Sequence, residues 1–189
     1  MKPFIFSSLF ARSELLQTEE EQLGSGIEVS VQRLRQEGRA LFEIRVSGLA
    51  RATPQASWQV LTGYDRLQEF VPGLLSSKLL SRTGQEAILE QEGIAGFLFL
   101  QQTIHLVVRV IEQPFSTLDI SLISGDMKYY ASHWELVPAA QGSATRISYF
   151  GSMVPDFFVP PLLGSAIMQA DVRKMMTAVI AEIGKRSGT

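Results

Sequence analysis

Apolar side chains recur with two different periods along this chain. Ile27, Val29 and Val31 alternate with Glu28, Ser30 and Gln32, and Phe42, Ile44 and Val46 alternate with Glu43, Arg45 and Ser47. Alternation is the mark of a half-buried strand, and Glu37-Gly38 between the runs reads as a turn, so the spacing predicts a hairpin. Thr53-Pro54 then starts a helix, with Thr as N-cap and Pro where a missing N–H has no partner to lose. Ala56, Trp58, Val60, Leu61 and Tyr64 follow it. Asp65 with Gln68 predicts a capping box for a second short helix, Arg66 to Phe70, stopped by Val71-Pro72-Gly73.

From Ser76 to Met153 the pattern returns to strands. Ser77–Arg82 and Ala87–Glu92 flank a Thr83-Gly84 turn. Phe97–Glu112 carries Leu98, Leu100, Ile104, Leu106, Val108 and Val110 on one side, and Ser116–Ser124 points Leu118, Ile120 and Leu122 inward. After Gly125-Asp126, Lys128–Val137 aligns Tyr130, Ser132, Trp134 and Leu136; after Gln141-Gly142-Ser143, Arg146–Met153 aligns Ile147, Tyr149, Gly151 and Met153. The last stretch changes period. Met168, Val172, Met175, Met176, Val179 and Ile183 recur at spacings of three and four, one face of a helix running from Pro160 to Arg186. Strands with segregated helices make an α+β domain, and a sheet with one apolar face must bury it. The terminal helix is the one element long enough to cover that face. The expected architecture is therefore a curved antiparallel sheet wrapped around a long C-terminal helix, with two short helices after the first hairpin. Gly24-Ser25-Gly26 reads as a hinge, dividing an N-terminal extension (1–26) from the domain proper (27–186).

Composition adds bounds. The 189 residues suit one domain, and 46% of them are hydrophobic, ample for a core. A net charge of −2 gives no general attraction to nucleic acid. The absence of cysteine removes disulfides, thiolate metal sites and Cys nucleophiles together. The apolar run near the N-terminus, Pro3 to Ala11, is short and interrupted by serine, so it reads as an ordinary segment docked on the core and not as a secretory signal. The expected location is cytoplasmic.

Several motifs carry a resemblance. The series Ala56, Trp58, Val60-Leu61, Tyr64-Asp65, Leu67, Phe70-Val71-Pro72 is similar to the helical signature of the coenzyme Q-binding and polyketide-cyclase branch of the START-like superfamily. Gly125-Asp126-Met127-Lys128, Tyr130, Trp134 and Leu136 resemble the same family's hairpin, and the last helix resembles its gripped helix. The resemblance spans about residues 27–186. Where the family often has glycine, this chain has Ser132. The resemblance implies a helix-grip fold with a deep cavity between sheet and helix. It implies one of several tasks: carriage of lipids, quinones or sterols, cyclisation of polyketides, or ribosome-directed regulation.

Candidate chemistry is sparse. His105 and His133 are out of phase with the inward residues of their strands, and their separation is not metal-ligand spacing. Glu90 and Glu92 share a solvent face. No catalytic residue and no metal site are assigned. Five of the six methionines, Met127, Met153, Met168, Met175 and Met176, fall on inward positions. Thioethers adapt to irregular apolar ligands, and equally fill a core. The candidate cavity lining is Leu106, Tyr130, Trp134, Tyr149, Met153, Met168, Val172, Met175 and Met176, with tyrosine hydroxyls available to fix a ligand carbonyl. Two apolar loops, with Phe97 and Phe99 in one and Phe157 and Phe158 in the other, are candidate gates that either touch a membrane transiently or fold inward. The favoured function is binding and transport of a hydrophobic small molecule, lipid- or quinone-like; no other cofactor is implied. A cyclase or aromatase would need ionisable groups facing the cavity. A ribosome-directed regulator would need a docking patch, for which Arg33, Arg35, Arg39 and Arg45 of the hairpin are the candidates.

Overall fold

A computed structural model describes residues 26–36, 38–97, 100–157, 159 and 164–188. The elements run β1 (Glu28–Gln36), β2 (Arg39–Ala50), α1 (Pro54–Leu61), a 3-10 helix (Tyr64–Glu69), β3 (Leu74–Thr83), β4 (Glu86–Phe97), β5 (Leu100–Gln113), β6 (Thr117–Gly125), β7 (Met127–Ala139), β8 (Ala144–Pro155) and α2 (Gly164–Ser187). Eight strands form one antiparallel sheet in the order β1-β2-β8-β7-β6-β5-β4-β3. Register shifts interrupt β3–β4, β5–β6 and β7–β8. Such bulges bend a strand and raise its twist, which suits a sheet that must curl around a helix.

The alternation read from the sequence holds in the burial. Phe42, Ile44 and Val46 on β2, Val108 and Val110 on β5, Trp134 and Leu136 on β7 and Ile147 and Tyr149 on β8 all turn to the concave side. Met176, Val179 and Ile183 of α2 complete the core against them. Helix and sheet meet closely at Gly48, where a Cβ would overlap the Ile180 side chain. The edge strand β1 is stitched to α2, because Gln169 Nε2 donates to the Val29 carbonyl at 3.4 Å and Arg173 donates to the Ile27 carbonyl at 2.5 Å. Those bonds use carbonyls that an unpaired edge would leave open.

α1 begins as its sequence predicts: Pro54 opens it, and Thr53 Oγ1 accepts from the Ala56 N–H at 3.2 Å. The second short helix differs. It is a 3-10 helix starting at Tyr64, and Asp65 does not cap it. Asp65 Oδ1 instead accepts from the Leu79 N–H of β3 at 2.8 Å, while Gln68 donates to the Asp65 carbonyl at 2.6 Å. The carboxylate thus ties the helix to an edge strand, a long-range partner that local spacing does not reveal. Pro160 to Leu163, expected at the start of the last helix, lie outside the described residues, as do residues 1–25 of the expected extension. Among the described residues no helix is long and apolar enough to cross a membrane.

Candidate functional site

The concave face is buried unevenly. At one end, next to α1 and the C-terminal half of α2, it is closed: Trp58, Leu61, Leu136, Ile147, Val179 and Ile183 are buried. At the other end lie the β1–β2 turn, the β6–β7 turn, the end of β8 and the start of α2. There Leu106, Leu122, Met127, Tyr130, Met153, Met168 and Val172 remain partly exposed, although Phe42 and Ile104 are buried. Residues 98–99, 158 and 160–163 lie outside the described residues.

The candidate lining therefore divides. Trp134, Tyr149 and Met176 belong to the closed core, with Met176 wholly buried. Leu106, Tyr130, Met153, Met168, Val172 and Met175 pack against that core and stay half-buried. Of the candidate gates, Phe157 is half-buried just past β8 and Phe97 ends β4; Phe99 and Phe158 lie outside the described residues. Two surface depressions, of about 440 and 700 Å3, open on the convex face and at the β7–β8 turn, so neither is the expected hollow between sheet and helix.

The inner floor carries one polar group of side chains. Trp134 sits opposite Tyr149 in register, and their rings meet edge-on at 4.9 Å. The Tyr149 hydroxyl reaches over Gly151, where a Cβ would come within 2.5 Å of it. Beside it, the Tyr130 hydroxyl and Ser132 share a hydrogen bond of 3.1 Å. Burial first, and the neighbouring Tyr130 second, push the Tyr149 hydroxyl well above its ordinary range, so it stays protonated.

A second polar cluster was not singled out from the sequence. Glu112 is 5% exposed on the concave side of β5. Its Oε1 accepts from the Tyr64 hydroxyl at 2.8 Å and its Oε2 accepts from Arg82 at 2.9 Å. The available signal was its phase: Glu112 continues the even-numbered apolar series Val108, Val110. Desolvation, then the Glu112 bond, raise the Tyr64 hydroxyl far above its usual value. With both oxygens engaged, the carboxylate braces the 3-10 helix against the sheet.

Both histidines face away from the concave side, as their phase predicts. His105 Nε2 is 3.1 Å from Glu90, and His133 Nδ1 is 2.7 Å from Asp119 on the convex face. The hairpin arginines do not make one patch. Arg33 turns inward, its guanidinium 5.5 Å from the Phe42 ring centre and donating to the Val159 carbonyl at 3.3 Å. Arg45 lines the convex groove, and Arg39 lies 3.9 Å from Asp156.

Residues 51–180 match the family described as polyketide cyclase / dehydrase and lipid transport. No curated protein matches the chain. Among solved structures, it is similar to a STAR-related lipid transfer protein from Xanthomonas axonopodis, with TM-score 0.69 and 18% identity over 85% of this chain and 94% of that one. It is similar also to the ZhuI aromatase/cyclase from Streptomyces sp. R1128, with TM-score 0.65 and 12% identity over 77% and 95%. A START superfamily protein from Mycobacterium smegmatis gives TM-score 0.65 and 13% identity over 76% and 97%. Identities this low speak for the fold alone, which is the START-like helix grip.

Proposed function

Because the chain belongs to the polyketide cyclase / dehydrase and lipid transport family, we propose that it carries one apolar small molecule, lipid- or quinone-like, between the concave sheet and α2. One observation carries this reading: Leu106, Met153, Met168 and Val172, all on inner faces, are left partly exposed at the same end of the grip. Apolar surface in water is unfavourable by about 25 cal/mol per Å2, so a hydrocarbon covering these side chains gains roughly that much. The methionines among them adjust their three rotatable bonds to an irregular ligand. Phe97, Phe99, Phe157 and Phe158 are the proposed gate, which would touch a membrane during loading; of these, Phe97 ends β4 and Phe157 lies just past β8.

The similarity to an aromatase/cyclase raises chemistry as an alternative. The inward carboxylate available to it, Glu112, is engaged at both oxygens by Tyr64 and Arg82. That engagement favours carriage. The test is native mass spectrometry of protein purified without detergent, followed by solvent extraction and titration with apolar fluorescent probes. A one-to-one complex with an apolar molecule is the expected result. Protein that co-purifies with nothing and binds no apolar probe would end the carrier reading.

A further inference from the structure

The turn between β6 and β7 is bound on one side and latched on the other. The Asp126 N–H donates to the His105 carbonyl at 2.9 Å, and Asp126 Oδ2 accepts from the His105 N–H at 2.8 Å, so the turn is tied to β5. On its other side Lys128 lies 2.5 Å from Asp156, and Arg39, beside the β1–β2 turn, lies 3.9 Å from the same carboxylate. Two cations from different turns thus share one anion at the open end. Each strand of the β6–β7 hairpin also carries one extra residue there. Val107 pairs with Ser124 and Val108 with Leu122, which leaves Ile123 over; Met127 pairs with Pro155 and Tyr129 with Val154, which leaves Lys128 over. Such bulges re-aim the side chains about them. Ile123 is 48% exposed and Tyr129 is 49% exposed.

An aliphatic residue, a tyrosine and a lysine on one hairpin tip match the layers of a bilayer surface. Acyl chains take the first, the headgroup level takes the second, and lipid phosphates take the third. We propose that the β6–β7 hairpin docks on an anionic phospholipid bilayer and that docking unlatches the open end. The inference rests on the carrier reading and adds to it a partner surface and a trigger. Lipid phosphates offer Lys128 and Arg39 a partner in place of Asp156. Once they take it, Asp156 is left without a cation beside a negative surface, which repels it. The latch therefore holds in water and opens at the membrane, where an apolar ligand has somewhere to go. The net charge of −2 gives the molecule no general pull toward such a surface. Attachment is then local, and it sets the open end toward the lipid. A zwitterionic bilayer, whose phosphates are balanced by choline, attracts the two cations far less.

The experiment has two readouts on the whole protein, with vesicles of phosphatidylcholine alone and of phosphatidylcholine and phosphatidylglycerol in equal parts. The first is co-sedimentation, which needs no ligand. Wild type is expected to bind the mixed vesicles roughly ten-fold more strongly than the plain ones, and less so as salt rises. Ile123→Ser with Tyr129→Ser should weaken that binding by about ten-fold without lowering the melting temperature, since both side chains are exposed. Each single substitution is the check should the double variant prove unstable. The second readout is stopped-flow transfer of a bound apolar fluorescent probe to the same vesicles. Transfer from wild type should be roughly ten-fold faster to the mixed vesicles, whereas Asp156→Asn, with the latch already open, should transfer quickly to both and differ by only about two-fold. Equal sedimentation with the two vesicle types, or sedimentation unchanged in the Ile123 and Tyr129 variants, overturns the docking patch and leaves the carrier reading standing. Equal wild-type transfer rates to the two vesicle types overturn the trigger, as does inorganic phosphate that speeds release equally at matched ionic strength. Protein that binds no probe at all ends the carrier reading and the trigger with it, while sedimentation still decides the patch.

Discussion

Tyr64 and Tyr149 set an upper pH limit on this fold. Both hydroxyls are raised from the ordinary value of 10.0, chiefly by burial; Glu112 adds to the shift for Tyr64 and Tyr130 for Tyr149. A raised folded pKa means that the unfolded chain loses the proton first. The stability linked to these protons is fully present below about pH 10 and is lost as pH rises beyond it, with a slope of about 1.4 kcal/mol per pH unit for each tyrosine. Urea midpoints taken between about pH 8 and pH 11 should therefore fall steeply in the upper part of that range. Tyr149→Phe and Tyr64→Phe should each flatten the fall, and Tyr64→Phe should also lower the plateau by about 1–3 kcal/mol, since Glu112 is left short of a donor. An alkaline slope identical in wild type and both variants would contradict the assignment. Tyr149 was legible as an inward residue from alternation alone. The place of its hydroxyl was not, because that depends on the room left over Gly151 two residues along the same strand.

The long helix α2 carries both halves of the molecule on one apolar stripe. Spacing places Met168, Val172, Met176, Val179 and Ile183 on the same face but says nothing of how tightly each is held. Burial separates them: Met176 and Ile183 are wholly covered, while Met168 and Val172 are not. Met176→Ala and Ile183→Ala should each cost about 2–5 kcal/mol, the usual penalty for emptying a packed site. Met168→Ala should cost under about 1 kcal/mol, because its surroundings are already open. Its effect should fall on ligand affinity instead. Chemical denaturation and probe titration on the same three variants check this, and equal losses of stability along the stripe would mean that the helix is gripped evenly from end to end. The strands were legible for the same reason as the stripe, since each element's period records which side faces the core. Asp65 marks where that reasoning stopped: its partner, the Leu79 N–H, is brought to it by tertiary structure.

At the scale of the whole molecule, the fold was legible because order and period together leave few ways to bury one sheet face under one helix. A hollow is different. It is the difference between the volume enclosed by distant elements and the volume of the side chains projecting into it, and no run of residues encodes that difference. The same holds for what closes the grip. Just past β8, Asp156 and Val159 are held from three sides: Asp156 lies 2.5 Å from Lys128 and 3.9 Å from Arg39, and Arg33 donates to the Val159 carbonyl at 3.3 Å. Lys128 follows the β6–β7 turn and Arg39 the β1–β2 turn, so Asp156 bridges two turns at the open end. If ligand passes there, Asp156 must move aside and both of its ion pairs must break. The pairs are half-exposed, each worth about 0–1 kcal/mol and weakened by salt. Asp156→Asn should then speed probe release by about two- to ten-fold and remove most of its dependence on ionic strength. Loading should quicken alongside, so affinity should change little. Stopped-flow displacement at low and high salt measures both rates. Release from Asp156→Asn at the wild-type rate, with the salt dependence intact, would mean that the ligand passes by another route.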